Sequence, residues 1–212
     1  MLCLRSVIVT VLVCGAAPAL AATPRKGVNA VSVRIHDYAT VDGRQLRRAE
    51  RQVTATFARI GVRLDWSDAV RAADVEAGTA TWPTSLVSVT INLLAADMWE
   101  RLGKPHNVAG FAPITRDQGG SIAYVAGDRI REIAEAGRVA QSDVLAIVMA
   151  HELAHLLLPE GSHSSDGVMR ANWQPTEFKH SQRRRFAAAE GSSIRQIVRV
   201  LGVGALQGAN QP

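Results

Sequence analysis

Val31-Ser32-Val33-Arg34-Ile35 alternates apolar and polar side chains with period two, the pattern of a strand with one buried face. The period changes at Asp42 or Gly43. From there to about Ile60, the apolar positions Leu46, Ala49, Val53, Phe57 and Ile60 recur at threes and fours. That spacing predicts an amphipathic helix, with Gly61 as its stop. Val62-Arg63-Leu64-Asp65-Trp66 alternates again and predicts a second strand. A strand, a helix and a strand of these lengths form a right-handed crossover unit, so the two strands are expected to run parallel.

Residues 67–83 have turn and surface character. Leu86 to Leu94 (LVSVTINLL) is the strongest strand in the chain, and its β-branched content predicts a central place in the sheet. Residues 98–119 carry Gly103, Pro105, Gly110, Pro113 and a closing glycine pair. They read as a long loop with a short strand near Val108 to Ala112. Another short strand is expected at Ser121 to Val125, then a helix near Arg129 to Ala136, ended by Gly137.

From about Ser142 to Leu158 the chain is apolar nearly all round a helix, and a helix of that kind is buried. Ser142 or Asp143 can cap it, and Pro159 and Gly161 end it. A further helix is expected from Pro175 or Thr176 past Phe186. A last helical piece, Ile194 to Leu201, follows Gly191, and residues 206–212 should fray. The order predicts a single α/β (α+β) domain over residues 23–205, built on one mixed sheet.

Composition narrows the class. With 212 residues, 47% hydrophobic and 20% charged, the chain can bury a real core and is not expected to be disordered. The net charge of +5 is spread along the chain, with one run at Arg183-Arg184-Arg185. A nucleic-acid binder concentrates its charge together with aromatics. No nucleic acid is expected as a partner, and the run reads as a solvated helix face, with binding of an anionic partner as the alternative.

Residues 1–22 read as a secretory signal. Arg5 is the positive n-region, Val7 to Ala17 the apolar run, and Ala19-Leu20-Ala21 the small-x-small cleavage site. The run is too short to span a membrane comfortably, so no stable insertion is expected once the signal is removed. The expected location is exported, periplasmic or secreted. Both cysteines, Cys3 and Cys14, lie in this segment. The mature chain then has no disulfide, no thiol nucleophile and no thiolate metal ligand.

The chemistry concentrates in residues 151–169, HELAHLLLPEGSHSSDGVM. His151 and His155 are four apart, on one face of the buried helix and about one turn from each other. Two imidazoles and a glutamate in so apolar a helix are costly unless something compensates them. One zinc ion reached by both histidines would do so, with Glu152 held beside the metal's water. The alternative is two satisfied core histidines and a surface glutamate. A catalytic zinc wants a third protein ligand and one open position. His163 is the best candidate, because Pro159-Glu160-Gly161-Ser162 gives the chain room to turn back. Glu160, Asp166 and Glu177 are the other candidates. Glu152 would then act as general base.

This segment resembles the metzincin clan of zinc peptidases, which have an H-E-x-x-H helix, a tight turn, a third histidine and a methionine turn. His151, Glu152 and His155 match residue for residue, and Met169 in Gly167-Val168-Met169-Arg170 looks like the methionine turn. Three positions depart from the clan. Leu158 stands where it usually has glycine. Gly161 stands at its usual third-ligand position, with His163 two residues later. The tyrosine that often follows the methionine is missing, leaving Arg170 or His180 to steady an oxyanion.

The resemblance implies a zincin-like mixed sheet with a crossover helix, a buried active-site helix and a C-terminal helix. It implies an exported zinc-dependent endopeptidase acting on peptides or proteins through a zinc-activated water, with zinc on His151, His155 and His163. The strand at Ser121 to Val125, after Gly119-Gly120, is the expected edge for pairing with substrate. The rival readings are a zinc protein without catalysis and a metal-free interaction module. Oligomeric state is left open.

Overall fold

The computed structural model describes residues 29–67, 87–113, 121–158 and 163–208, with side chains as far as Gly202. The signal read from residues 1–22, most of the 67–83 stretch, Gly119-Gly120 and the helix stop at Pro159 to Gly161 lie outside the described residues. Five strands form one mixed sheet: β1 (Ala30–Asp37), β2 (Arg63–Ser67), β3 (Val87–Leu94), β4 (Gly110–Phe111) and β5 (Ile122–Ala126). Among the described residues five α-helices accompany them: α1 (Gly43–Ala58), α2 (Ala96–Arg101), α3 (Gly127–Gly137), α4 (Gln141–Leu157) and α5 (Ala188–Gly208). A 3₁₀ helix covers Pro175–Arg183.

The sheet order is β2-β1-β3-β5-β4. β1 pairs in parallel with β2 through the α1 crossover, and β3 lies at the centre, parallel to β1 and β5. Both features follow from the sequence pattern. β4 alone runs antiparallel, Gly110 opposite Val125 and Phe111 opposite Tyr124. It forms the outer edge, so β5 is paired on both sides. The Ser121 to Val125 segment is therefore not the free edge that its sequence suggested. A two-residue strand has too few positions to show a period, and the loop that carries it folds back through long-range pairing. Helix α2, unpredicted, lies in the same stretch and buries Trp99, which meets Phe111 edge-on at 5.6 Å.

Helix α4 is buried nearly all round, as its composition requires. Its start differs from the expectation. Ala140 is the N-cap and supplies no side-chain bond. Ser142 instead donates its backbone N–H to Gln45 Oε1 of α1 (3.1 Å), and Asp143 accepts from Gln52 Nε2 (2.7 Å). Through Gln45 the neighbouring helix thus does part of the work of a cap, satisfying the Ser142 N–H that α4 cannot satisfy itself.

The C-terminal third also differs. The stretch from Pro175 is a 3₁₀ helix broken at His180 and ended before Phe186, not an α-helix. Phe186 sits in the connection and packs edge-on against Phe57 at 5.1 Å. One α5 then runs unbroken through Gly191 to Gly208. At Gly191 a Cβ would meet Ile60 Cγ2 at 2.8 Å, so the glycine marks a close helix crossing and not a break. The part of the expected frayed tail from 206 to 208 is helical, and 209–212 lie outside the described residues. No helix among the described residues is long and apolar enough to cross a membrane.

Candidate metal centre

In the second half of α4 every side chain is buried except those of His151 and His155, which are partly exposed. Spaced one turn apart, both rings leave the helix on the same side. Their Nε2 atoms are 3.0 Å apart. His163, beyond the helix, brings its Nε2 to 3.1 Å from that of His155. These three residues form a group that could hold a metal ion.

The second ring nitrogen of His151 is accounted for. Nδ1 lies 2.9 Å from the carbonyl oxygen of Val168, so Nδ1–H donates and Nε2 keeps its lone pair. Burial is the first reason that His151 titrates below the ordinary imidazole range, partly offset by this bond. His155 is pushed down to about 4, first by burial and then by the neighbouring His151 and His163. At neutral pH His151 and His155 therefore present uncharged nitrogens, the form a metal takes.

The loop after His163 is tied down on both sides. Ser164 N–H donates to the Met169 carbonyl (3.0 Å), and Val168 N–H donates to the Arg185 carbonyl (3.0 Å). Gly167 has φ +79°, a left-handed turn that β-carbon sterics disfavour, and a Cβ there would stand 2.5 Å from Arg185 O. Val168 and Met169 are fully buried. One turn thus positions His163, orients His151 and sinks Met169 into the core.

Glu152 points to the other side of the cluster. It is 5% exposed, and its Oε2 has no hydrogen-bond partner among the described residues. Burial raises its pKa to about 8. The backbone of Gly110 on edge strand β4 passes directly over it. A Cβ at residue 110 would stand 2.7 Å from Glu152 Oε1 and 2.9 Å from Val148 Cγ1. Glu152, Gly110 and the three histidines line one cleft of about 740 Å³, whose walls include Ile133, Val148 and Trp173.

The other sequence candidates are placed elsewhere or engaged. Both carboxylate oxygens of Glu177 are taken, one by Arg170 Nη1 (2.6 Å) and one by Gln174 N–H (2.7 Å). Those bonds hold its pKa below the usual carboxylate range. Asp166 pairs with Arg184 at 2.9 Å, and Glu160 lies outside the described residues. His106 is exposed in a turn, and His36 stacks against Tyr38 on β1. His180 is exposed and does not line the cleft, whereas Arg170 does. Gly110 and Val168 are the site positions that sequence reading missed. Both act through backbone atoms, which leave no residue-type signal beyond the glycine itself.

No family model matches the chain, and no curated protein matches it. Among solved structures, the crystal structure of metalloproteinase-II from Bacteroides fragilis is similar at 11% identity and a TM-score of 0.45. The match covers 83% of this chain, which spans 55% of that one. A likeness at that level carries no argument about activity, so the functional reading rests on the site.

Proposed function

We propose that this chain is an exported, metzincin-like zinc peptidase in which His151, His155 and His163 hold the ion and Glu152 is the general base. The observation that carries the reading is three imidazole nitrogens converging in a cleft that also holds a buried carboxylate oxygen with no hydrogen-bond partner among the described residues. Two nitrogens bound 2.0–2.1 Å from a tetrahedral ion stand about 3.3 Å apart. The separations of 3.0 and 3.1 Å are close to that value. Met169, buried beside the carbonyl that orients His151, supports the methionine-turn reading.

Bound zinc would supply a Lewis acid for a substrate carbonyl and make a water more acidic. The protein's own groups do the rest. With the bound ion's charge beside it favouring the carboxylate over the neutral acid, Glu152 would accept a proton from the attacking water and return it to the leaving amine. Its burial keeps that exchange away from bulk solvent. The backbone of β4 offers an extended peptide a strand to pair with, beside Glu152. Arg170 keeps one guanidinium nitrogen on Glu177 and brings its charge to the same cleft, where it would steady a developing oxyanion.

Purified protein is expected to carry one zinc per chain, to cleave members of a peptide library, and to lose cleavage to a chelator and regain it with zinc. A metal-free preparation that binds no zinc would leave only the interaction-module reading. Stoichiometric zinc with no cleavage of any peptide would favour a zinc protein without catalysis.

Gly110→Ala tests the close approach of β4. The added methyl has no room beside Glu152, so strand or carboxylate must move. Misplacement by about 1 Å in an active site costs about 100-fold in rate. A loss of that order in kcat with zinc content unchanged is expected. An unchanged kcat would mean that β4 and Glu152 are not coupled.

A further inference from the structure

Helix α1 carries a second concentration of chemistry that the metal centre does not use. Arg48 and Arg51 lie on one face of the helix, and Arg59 at its C-cap continues the same line, with Ala55 between. All three arginines are exposed. Arg48, Arg51 and Arg59 join Gln52, Ala55 and Gln182 of the 3₁₀ helix to line a groove of about 460 Å³. No residue of this groove lines the cleft of the metal centre.

The charge in the groove is not balanced. Asp143 is the one carboxylate beside it among the described residues. It is buried, bonded by Gln52 (2.7 Å) and 3.9 Å from Arg48. Arg51 and Arg59 have no hydrogen-bond or ion-pair partner among the described residues. Arg185 adds a further cation near Arg59. Partial burial and that neighbour together hold the Arg59 guanidinium below its ordinary range. Arg185 donates to the carbonyls of Gln182 and Arg184, which fixes it at the rim. The Arg183 to Arg185 run is therefore not a uniform solvated face. Arg184 pairs with Asp166 and lies 4.7 Å over the Trp173 ring, and Arg185 donates to the backbone of Gln182, a groove residue.

Guanidinium groups stay charged at neutral pH, so a bound anion would find several cations to pair with here. Several cations around one compact space call for more than one negative charge on a single group. A carboxylate carries one, whereas pyrophosphate or a phosphomonoester carries about two or more, with oxygens that match the guanidinium fork. The groove has no aromatic ring on which a base could stack, which disfavours single-stranded nucleic acid. Ala55 is its one apolar side chain, so nothing there can insert into a bilayer.

We propose that the α1 groove is a second site that binds a compact multivalent phosphate, such as pyrophosphate or the phosphomonoester of a soluble ligand. The site is independent of the metal centre.

Calorimetric titration of the full chain with pyrophosphate at physiological salt tests this. Saturable binding at one per chain is expected. R51A/R59A should weaken it by about tenfold or more, the size expected when hydrogen bonds between charged groups are lost. R51K/R59K keeps the charge but loses the fork, and should bind several-fold more weakly than the native chain. R44A/R47A removes as much charge from α1 outside the groove and should bind within about twofold of the native chain. Four results would overturn the proposal: no saturable binding, a loss equal in R44A/R47A and R51A/R59A, binding that R51A/R59A leaves unchanged, or full binding by R51K/R59K. Co-sedimentation with phosphatidate vesicles separates the two sources of phosphate. Vesicle capture that depends on Arg51 and Arg59, with no binding of free pyrophosphate, would assign the groove to a lipid surface and overturn the soluble ligand.

Discussion

Glu152→Gln is expected to lower peptide hydrolysis by about 10²–10⁴-fold, the contribution of a positioned general base, while one zinc per chain stays bound. The substitution keeps shape and removes only the proton acceptor. The three imidazoles do not depend on it, since His151 is oriented by Val168 and His163 by its own loop. Cleavage that survived in the zinc-loaded variant would remove Glu152 from the mechanism.

The same variant has a second readout in metal-free protein. Burial raises Glu152 from 4.5 to about 8. Burial tolerates the neutral carboxyl and disfavours the charged one. Its contribution to stability is therefore fully present below about pH 4.5 and is lost as pH rises to about 8. Glutamine is neutral throughout. Metal-free Glu152→Gln should match the native chain near pH 4 and exceed its stability at pH 9 by a few kcal/mol, from the size of the shift. His155 works in the opposite sense. Held down at about 4, it contributes above the ordinary imidazole range and loses that contribution as pH falls towards 4. It is present in both proteins and cancels in the comparison. Denaturant midpoints at the two pH values measure the difference, and an equal gap at both would show that Glu152 is not buried as a neutral acid.

His163→Ala should weaken zinc binding by at least about 100-fold, beyond the 10–100-fold that loss of a ligand's hydrogen-bond partner costs. Activity should fall with it at limiting zinc. Glu177→Gln and Asp166→Asn should leave zinc affinity within a fewfold of native. Both carboxylates are already committed, Glu177 to Arg170 and Gln174 and Asp166 to Arg184. Competition against a fluorescent chelator measures all three. If Glu177→Gln lost the metal and His163→Ala kept it, the third ligand and the metzincin-like reading would both fail.

How much of this was legible beforehand depends on range. The crossover of β1, α1 and β2, the central β3 and the buried α4 rest on apolar spacing along short stretches, and each formed as that spacing requires. The departures have a common cause. Glycine at 191 was read as a break because its contact, Ile60, is far away in the chain. Ser142 and Asp143 were read as caps because their partners Gln45 and Gln52 lie on another helix. The Pro175 stretch has a helical start but closes with 3₁₀ geometry and a kink at His180, and residue pattern does not separate the two helix types.

The sequence by itself determined that His151, Glu152 and His155 occupy one buried helix with both imidazoles on one side, because the 3.6-residue turn is a local rule. Only the tertiary structure decided which distant donor meets them. His163 arrives through a turn pinned by Ser164, Val168 and Arg185, while Glu177 is bound into its own cap. It also decided that β4, not β5, is the free edge above Glu152. Those choices depend on segments that are remote in the chain and meet through backbone atoms, which carry no period and no residue signature.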